Sequence, residues 1–316
     1  MADAIESAVA LGTEIDLDIR EGRFQRWLSL MAGMSSVLAG LEVTYEHYRG
    51  SYSRRVMYTP VILSVLLASG GISAFFSKRA ARTLLRVISI VTLADSVVGF
   101  YFHTRGVQRK PGGWRLPIVN IVMGPPIFAP LLFGVSAYLG FVASFLRRSD
   151  DRQGSFLPQP AHANHWATRI TGDHESISWK QDMREGRFQK QMAIATVVAA
   201  CFSGFEAWYS HLKNNFRYKV QWTPVIVAPL LMAAGVGAVK RRKVAHTWLP
   251  AMSAVAMADG AVGFFYHARG VLRRPGGIKM PLYNVIYGPP IFAPLLFAAS
   301  GFLGLLASML GREERK

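Results

Sequence analysis

The chain of 316 residues carries 36 Lys and Arg against 19 Asp and Glu, a net charge of +17, and 51% of it is hydrophobic; its mean hydropathy is +0.23. That composition excludes a disordered chain and a collagen-like fibre, and a single cysteine, Cys201, excludes an intrachain disulfide and a thiolate cage for an iron–sulfur cluster or structural zinc. In a soluble chain so much positive charge would suggest nucleic acid, but here the cations lie between long uncharged runs, which points to a lipid bilayer and to no nucleic-acid partner.

The N-terminal segment 1–25 is polar and holds Asp3, Glu6, Glu14, Asp16 and Asp18, the wrong charge for the start of a secretory signal, so the first span is expected to serve as its own insertion signal. Apolar runs of about 20 residues, enough to cross ~30 Å of hydrocarbon as helix, fall at 27–47, 56–77, 83–103 and 126–146. Four more fall at 190–211, 220–239, 246–267 and 290–310. The second set repeats the first at a constant offset of 164 residues without a gap, beginning at Arg20-Glu-Gly-Arg-Phe-Gln25 and Arg184-Glu-Gly-Arg-Phe-Gln189. Between Gly99 and Phe133 the copies share 22 of 35 residues, which marks a tandem duplication.

An even number of spans per copy gives both copies the same orientation. The sequence thus predicts an all-α integral membrane protein with eight transmembrane helices as two tandem parallel four-helix repeats and pseudo-two-fold symmetry along the membrane normal. The repeats are 26–148 and 184–312, joined by a polar linker at 149–183 without a helical apolar stripe and followed by a charged tail at 313–316. Of the Lys and Arg residues, 21 lie on the side of the termini and 14 in the opposite loops, which places both termini in the cytoplasm. Those opposite loops contain no Asp or Glu.

Proline punctuates both copies. The uncharged run from Leu116 to Leu146, repeated from Met280 to Leu310, is too long for one span, and Pro125-Pro126 and Pro289-Pro290 supply a break. The stretch before the break is expected to lie at the interface or to dip against a cavity. Thr59-Pro60 and Thr223-Pro224 are expected to kink spans 2 and 6, and Gly70-Gly71, Gly99 and Gly263 to allow close helix contact.

Four polar pairs recur inside the spans: Glu42/Glu206, His47/His211, Asp95/Asp259 and His103/His267. A carboxylate in hydrocarbon costs several kcal/mol unless paired, protonated or hydrated, so their retention points to a function. Helical rise places the histidines in an outer layer and the carboxylates in a deeper one. All eight are candidate metal ligands, for iron or copper as a bare ion or as haem. The loops 103–113 and 267–277, His-x-Arg-Gly-Val-x-Arg-Lys/Arg-Pro-Gly-Gly, offer Arg105, Arg109, Arg269 and Arg273 to a propionate, a lipid headgroup, another anionic ligand or an acidic partner. Tyr45/Tyr209 and Tyr58/Trp222 fit an interfacial aromatic belt. His162, His165, His174 and His246 have no counterpart in the other copy. The favoured function is an integral subunit of a membrane redox complex, among other subunits, holding metal or haem, with quinone as a candidate electron partner. One alternative is a proton-coupled carrier using the carboxylates, another an anchor that recruits an acidic partner through the basic loops.

Overall fold

The computed structural model describes residues 2–148, 151 and 173–313. These residues form helices, with no β-strand among them and one isolated bridge between Phe24 and Arg148. In chain order they are α1 (Ala2–Arg20), α2 (Gln25–Arg49), α3 (Thr59–Phe76), α4 (Lys78–Gln108), α5 (Pro117–Val122) and α6 (Ala129–Ala143). The rest are α7 (Asp173–Arg184), α8 (Gln189–Leu212), α9 (Thr223–Lys240), α10 (Arg242–Leu272), α11 (Pro281–Ile286) and α12 (Ala293–Met309). Six of them, α2, α3, α4, α8, α9 and α10, are long and apolar enough to cross a membrane, as in a multi-pass membrane protein.

The last helix of each half is shorter than its apolar run. α6 has 15 residues and α12 has 17, about 22 and 25 Å of rise against ~30 Å of hydrocarbon. The proline pairs account for this. Neither Pro125-Pro126 nor Pro289-Pro290 lies in a helix; α6 and α12 start three residues later with Pro130 and Pro294 in their first turns, where a missing N–H costs nothing. The residues ahead of each break coil into the short helices α5 and α11.

Three local features depart from the sequence expectations. Thr59-Pro60 and Thr223-Pro224 do not kink a span: each opens its helix after a 3₁₀ turn, Arg55–Tyr58 or Lys219–Trp222, with the proline in the first turn. The polar segment before the first span and the end of the linker are helical, as α1 and α7. α4 runs through a π turn at Ala81–Leu85, whereas α10 breaks at Thr247. Pro250, where the first copy has Arg86, lacks the N–H that would bond back to the 246 carbonyl. His162 and His165 lie outside the described residues.

Within each half the first helix packs on the second and the third on the fourth. Gly71 permits the α2–α3 approach, because a Cβ there would meet the Ser29 carbonyl oxygen at 2.4 Å. One apolar core runs through both halves, from Leu28, Leu67 and Leu85 to Met192, Leu231 and Leu249. Large apolar side chains also point outward from the six long helices, among them Ile62, Val65, Val87, Ile226 and Phe265, a surface compatible with lipid contact.

At the terminal side the two Arg-Glu-Gly-Arg-Phe-Gln motifs face each other. Gly22 and Gly186 adopt φ of +69° and +73°, and a Cβ on Gly22 would lie 2.4 Å from the Arg184 oxygen. There the buried Arg148 gives its Nη1 to Gln25 Oε1 at 2.9 Å and to the Ala74 carbonyl at 2.8 Å, and its Nη2 to the Phe75 carbonyl at 3.4 Å. Arg312, 164 residues later, gives its guanidinium to the Ala238 and Val239 carbonyls at 3.3 and 2.6 Å. Each caps the C-terminus of the second long helix of its half.

Candidate functional site

At the opposite face each half brings two histidines together. His47 ends α2 and His103 lies near the end of α4, and their ring centroids are 6.5 Å apart. His211 and His267 repeat the pair at 6.3 Å. His47 Nδ1 lies 2.7 Å from the Met57 carbonyl oxygen, and His103 Nδ1 and His267 Nδ1 are hydrogen bonded to the Pro126 and Pro290 carbonyls. A carbonyl only accepts, so in these three rings Nδ1 is the donor and a neutral imidazole keeps its lone pair on Nε2. A metal-binding histidine is held in the same way by the hydrogen bond of its other nitrogen. The Pro-Pro break thus supplies the acceptor that orients one ring of each pair.

The carboxylates separate into two groups. Asp95 stays in its own half: the Thr59 hydroxyl lies 2.7 Å from Asp95 Oδ1, and 2.9 Å from the Val56 carbonyl, so its single proton serves one of them at a time. Asp95 is in electrostatic contact with His47, and Asp259 faces Thr223 at the equivalent place. Glu42 instead crosses to the other half, where its Oε2 accepts the Phe292 N–H at 3.1 Å, at the residue that opens α12. Glu206 faces the Phe128 amide that opens α6, with its Oε2 buried and unpartnered. Each glutamate therefore reaches the N-terminus of the other half's last helix, where the first amides have no partner within the helix.

Among the described residues, no three His, Cys, Asp or Glu side chains converge closely enough to hold a metal ion. What each half offers is two imidazoles, and in the first half Asp95 is close to His47. Two imidazoles alone leave the rest of any ion's coordination to be supplied from elsewhere.

Arg105, Arg109, Arg269 and Arg273 are all exposed, on the same face as the histidines. The Arg105 Nη1 reaches the Tyr101 hydroxyl at 3.3 Å, and among the described residues none of the four is in an ion pair. Their loops turn through Gly112 and Gly276, at φ of +79° and +83°, a region costly to any residue with a Cβ. Sequence reasoning missed what holds these loops. The buried Asn120 donates its Nδ2 to the Pro111 and Gly113 carbonyls at 3.0 and 2.7 Å, and Asn284 does the same to Pro275 and Gly277 at 3.2 and 3.0 Å. The available signal was Asn120/Asn284 persisting where its neighbours differ, Val119/Tyr283 and Ile121/Val285.

Two further side chains proved structural. Arg86 donates its Nη2 to the Ser144 carbonyl at 2.7 Å, at the C-terminal end of α6. The second half has Pro250 in its place, and His246 meets the equivalent Ser308 carbonyl through Nδ1 at 3.0 Å. Compared with protein-family models, curated proteins and solved structures, the chain matches none of them, so its reading rests on its own residues.

Proposed function

We propose that this chain is an integral membrane subunit of a redox complex, with iron or copper, bare or in haem, held at one membrane face by His47 and His103 and again by His211 and His267. The single observation that carries the reading is the recurrence, in both halves, of two imidazoles about a metal's span apart. In three of these rings Nδ1 is fixed on a backbone carbonyl and Nε2 is left as the ligand. The ring centroids lie 6.5 and 6.3 Å apart, within reach of two imidazoles that would share one ion. Asp95 is the carboxyl beside His47, and the exposed arginines of the basic loops would meet an anionic group such as a propionate. In this reading α6 and α12 complete two parallel four-helix repeats, eight spans in all, with both termini in the cytoplasm.

Elemental analysis of the protein purified in mild detergent tests the proposal. The expected result is one or two atoms of iron or copper per chain, lost from the His103→Ala, His267→Ala double variant while its circular dichroism is unchanged. An intact protein without metal, or a double variant with full metal content, would overturn it.

A further inference from the structure

The two histidine faces are not equal. Beside His47 a pocket of about 380 Å³ opens between the halves, lined by Tyr48, Arg49, Ser51, Tyr52 and Tyr58 of the first half and Tyr287 of the second. At the equivalent positions around His211 the four tyrosines become Leu212, Phe216, Trp222 and Met123. Every phenolic hydroxyl is present on one side and absent on the other.

The fold does not explain this difference. Tyr52 stacks on Tyr58 with centroids 4.4 Å apart and planes at 17°, and Phe216 stacks on Trp222 at 3.9 Å and 19°. Both turns hold the first stacking residue in the left-handed region, Tyr52 at φ +44° and Phe216 at +49°. The stack and the turn persist without hydroxyls. Among the described residues the hydroxyls of Tyr48, Tyr58 and Tyr287 make no protein hydrogen bond, while Tyr52 donates to the Thr44 carbonyl at 3.1 Å.

We infer that this pocket receives the head group of a membrane quinone, a flat ring with two carbonyl acceptors that reaches it from the membrane–water interface. This deepens the redox reading and rests on it. Stacked phenols give such a ring a face to lie on, and free phenolic hydroxyls and the Arg49 guanidinium are donors for its carbonyls. A phosphate head group fits less well, because Arg49 is already paired with Glu46 at 3.1 Å and an anion would face that carboxylate. Glu46 is itself replaced by Ser210 in the second half, so it accompanies the tyrosines. The pocket also adjoins the proposed metal site: the Tyr52 ring lies edge-on to His47, centroids 6.0 Å apart.

The test is a titration in phosphatidylcholine nanodiscs with decylubiquinone and with menadione, using 1-decanol as a chain-only control and phosphatidylglycerol as a competitor. The expected result is one quinone per chain, bound at least about tenfold more weakly by a Tyr48→Leu, Tyr52→Phe, Tyr58→Trp variant. That variant carries the second half's own residues, and an unchanged melting temperature shows that it is folded. Four results would overturn the inference: no binding of either quinone, equal binding by the variant, equal binding of 1-decanol, or displacement by phosphatidylglycerol. Metal content is measured on the same samples. Quinone bound without metal overturns the metal reading and leaves the pocket, whereas metal without quinone overturns the pocket alone.

Discussion

Asn120 shows how much one neutral side chain decides at this face. Its amide ties the carbonyls of Pro111 and Gly113 and so sets the loop that follows His103, whose ring is fixed in turn on Pro126. Asn120→Ala removes both bonds and leaves two carbonyls to find water. It should cost about 1–3 kcal/mol, read as a lowered melting temperature in detergent, and an unchanged melting temperature would mean that the loop holds itself. At this scale the sequence was partly legible. Histidines and carboxylates in apolar runs announce themselves by their cost and by returning 164 residues later. A neutral asparagine in a six-residue helix carries a smaller cost, so Asn120 and Asn284 passed unnoticed. Nor could spacing along one helix reveal that Glu42 turns away from His47 toward Phe292, since the partner lies in the other repeat.

Among the elements, the second helix of each half ends in a guanidinium from far along the chain. Arg148 is the more deeply committed, bonded to Gln25 as well as to two carbonyls and 3% exposed. Truncating a buried hydrogen-bonded charge costs about 3–5 kcal/mol when its partners are left unsatisfied. Arg148→Ala should therefore lower the melting temperature more than Arg312→Ala, which releases only the Ala238 and Val239 carbonyls; the reverse order would contradict this account. The break before α6 and α12 was readable because proline acts locally, through a missing N–H. The helicity of α1 and α7 was not, because neither segment carries an apolar run long enough to read as a span. Only the facing turns at Gly22 and Gly186 show how the two motifs meet. The same limit hid the exchange of Arg86 for His246 as the cap on the last helix.

For the molecule as a whole, the duplication was plain from the constant offset, and the single core through both halves was not. Glu42 reaches Phe292, Glu206 faces Phe128, and the Phe128 ring stacks on Phe202 at 4.7 Å, all across the junction. The halves should accordingly recognise each other without the linker. Two polypeptides divided between residues 160 and 161 and co-expressed are expected to co-purify in mild detergent, and separate elution of the two would show that the linker holds them. The two glutamate contacts answer each other across the junction, as in an isologous contact between two identical subunits, whereas Phe202 has Leu38 as its counterpart. A half-length ancestor could have built it by pairing with itself, but each of its two sites would then have been a copy of the other. Joining the copies in one polypeptide ended that constraint: a change written into one half was no longer written into both. The tyrosines gathered beside His47, and the leucine, phenylalanine, tryptophan and methionine beside His211, are an asymmetry that two identical chains could not hold.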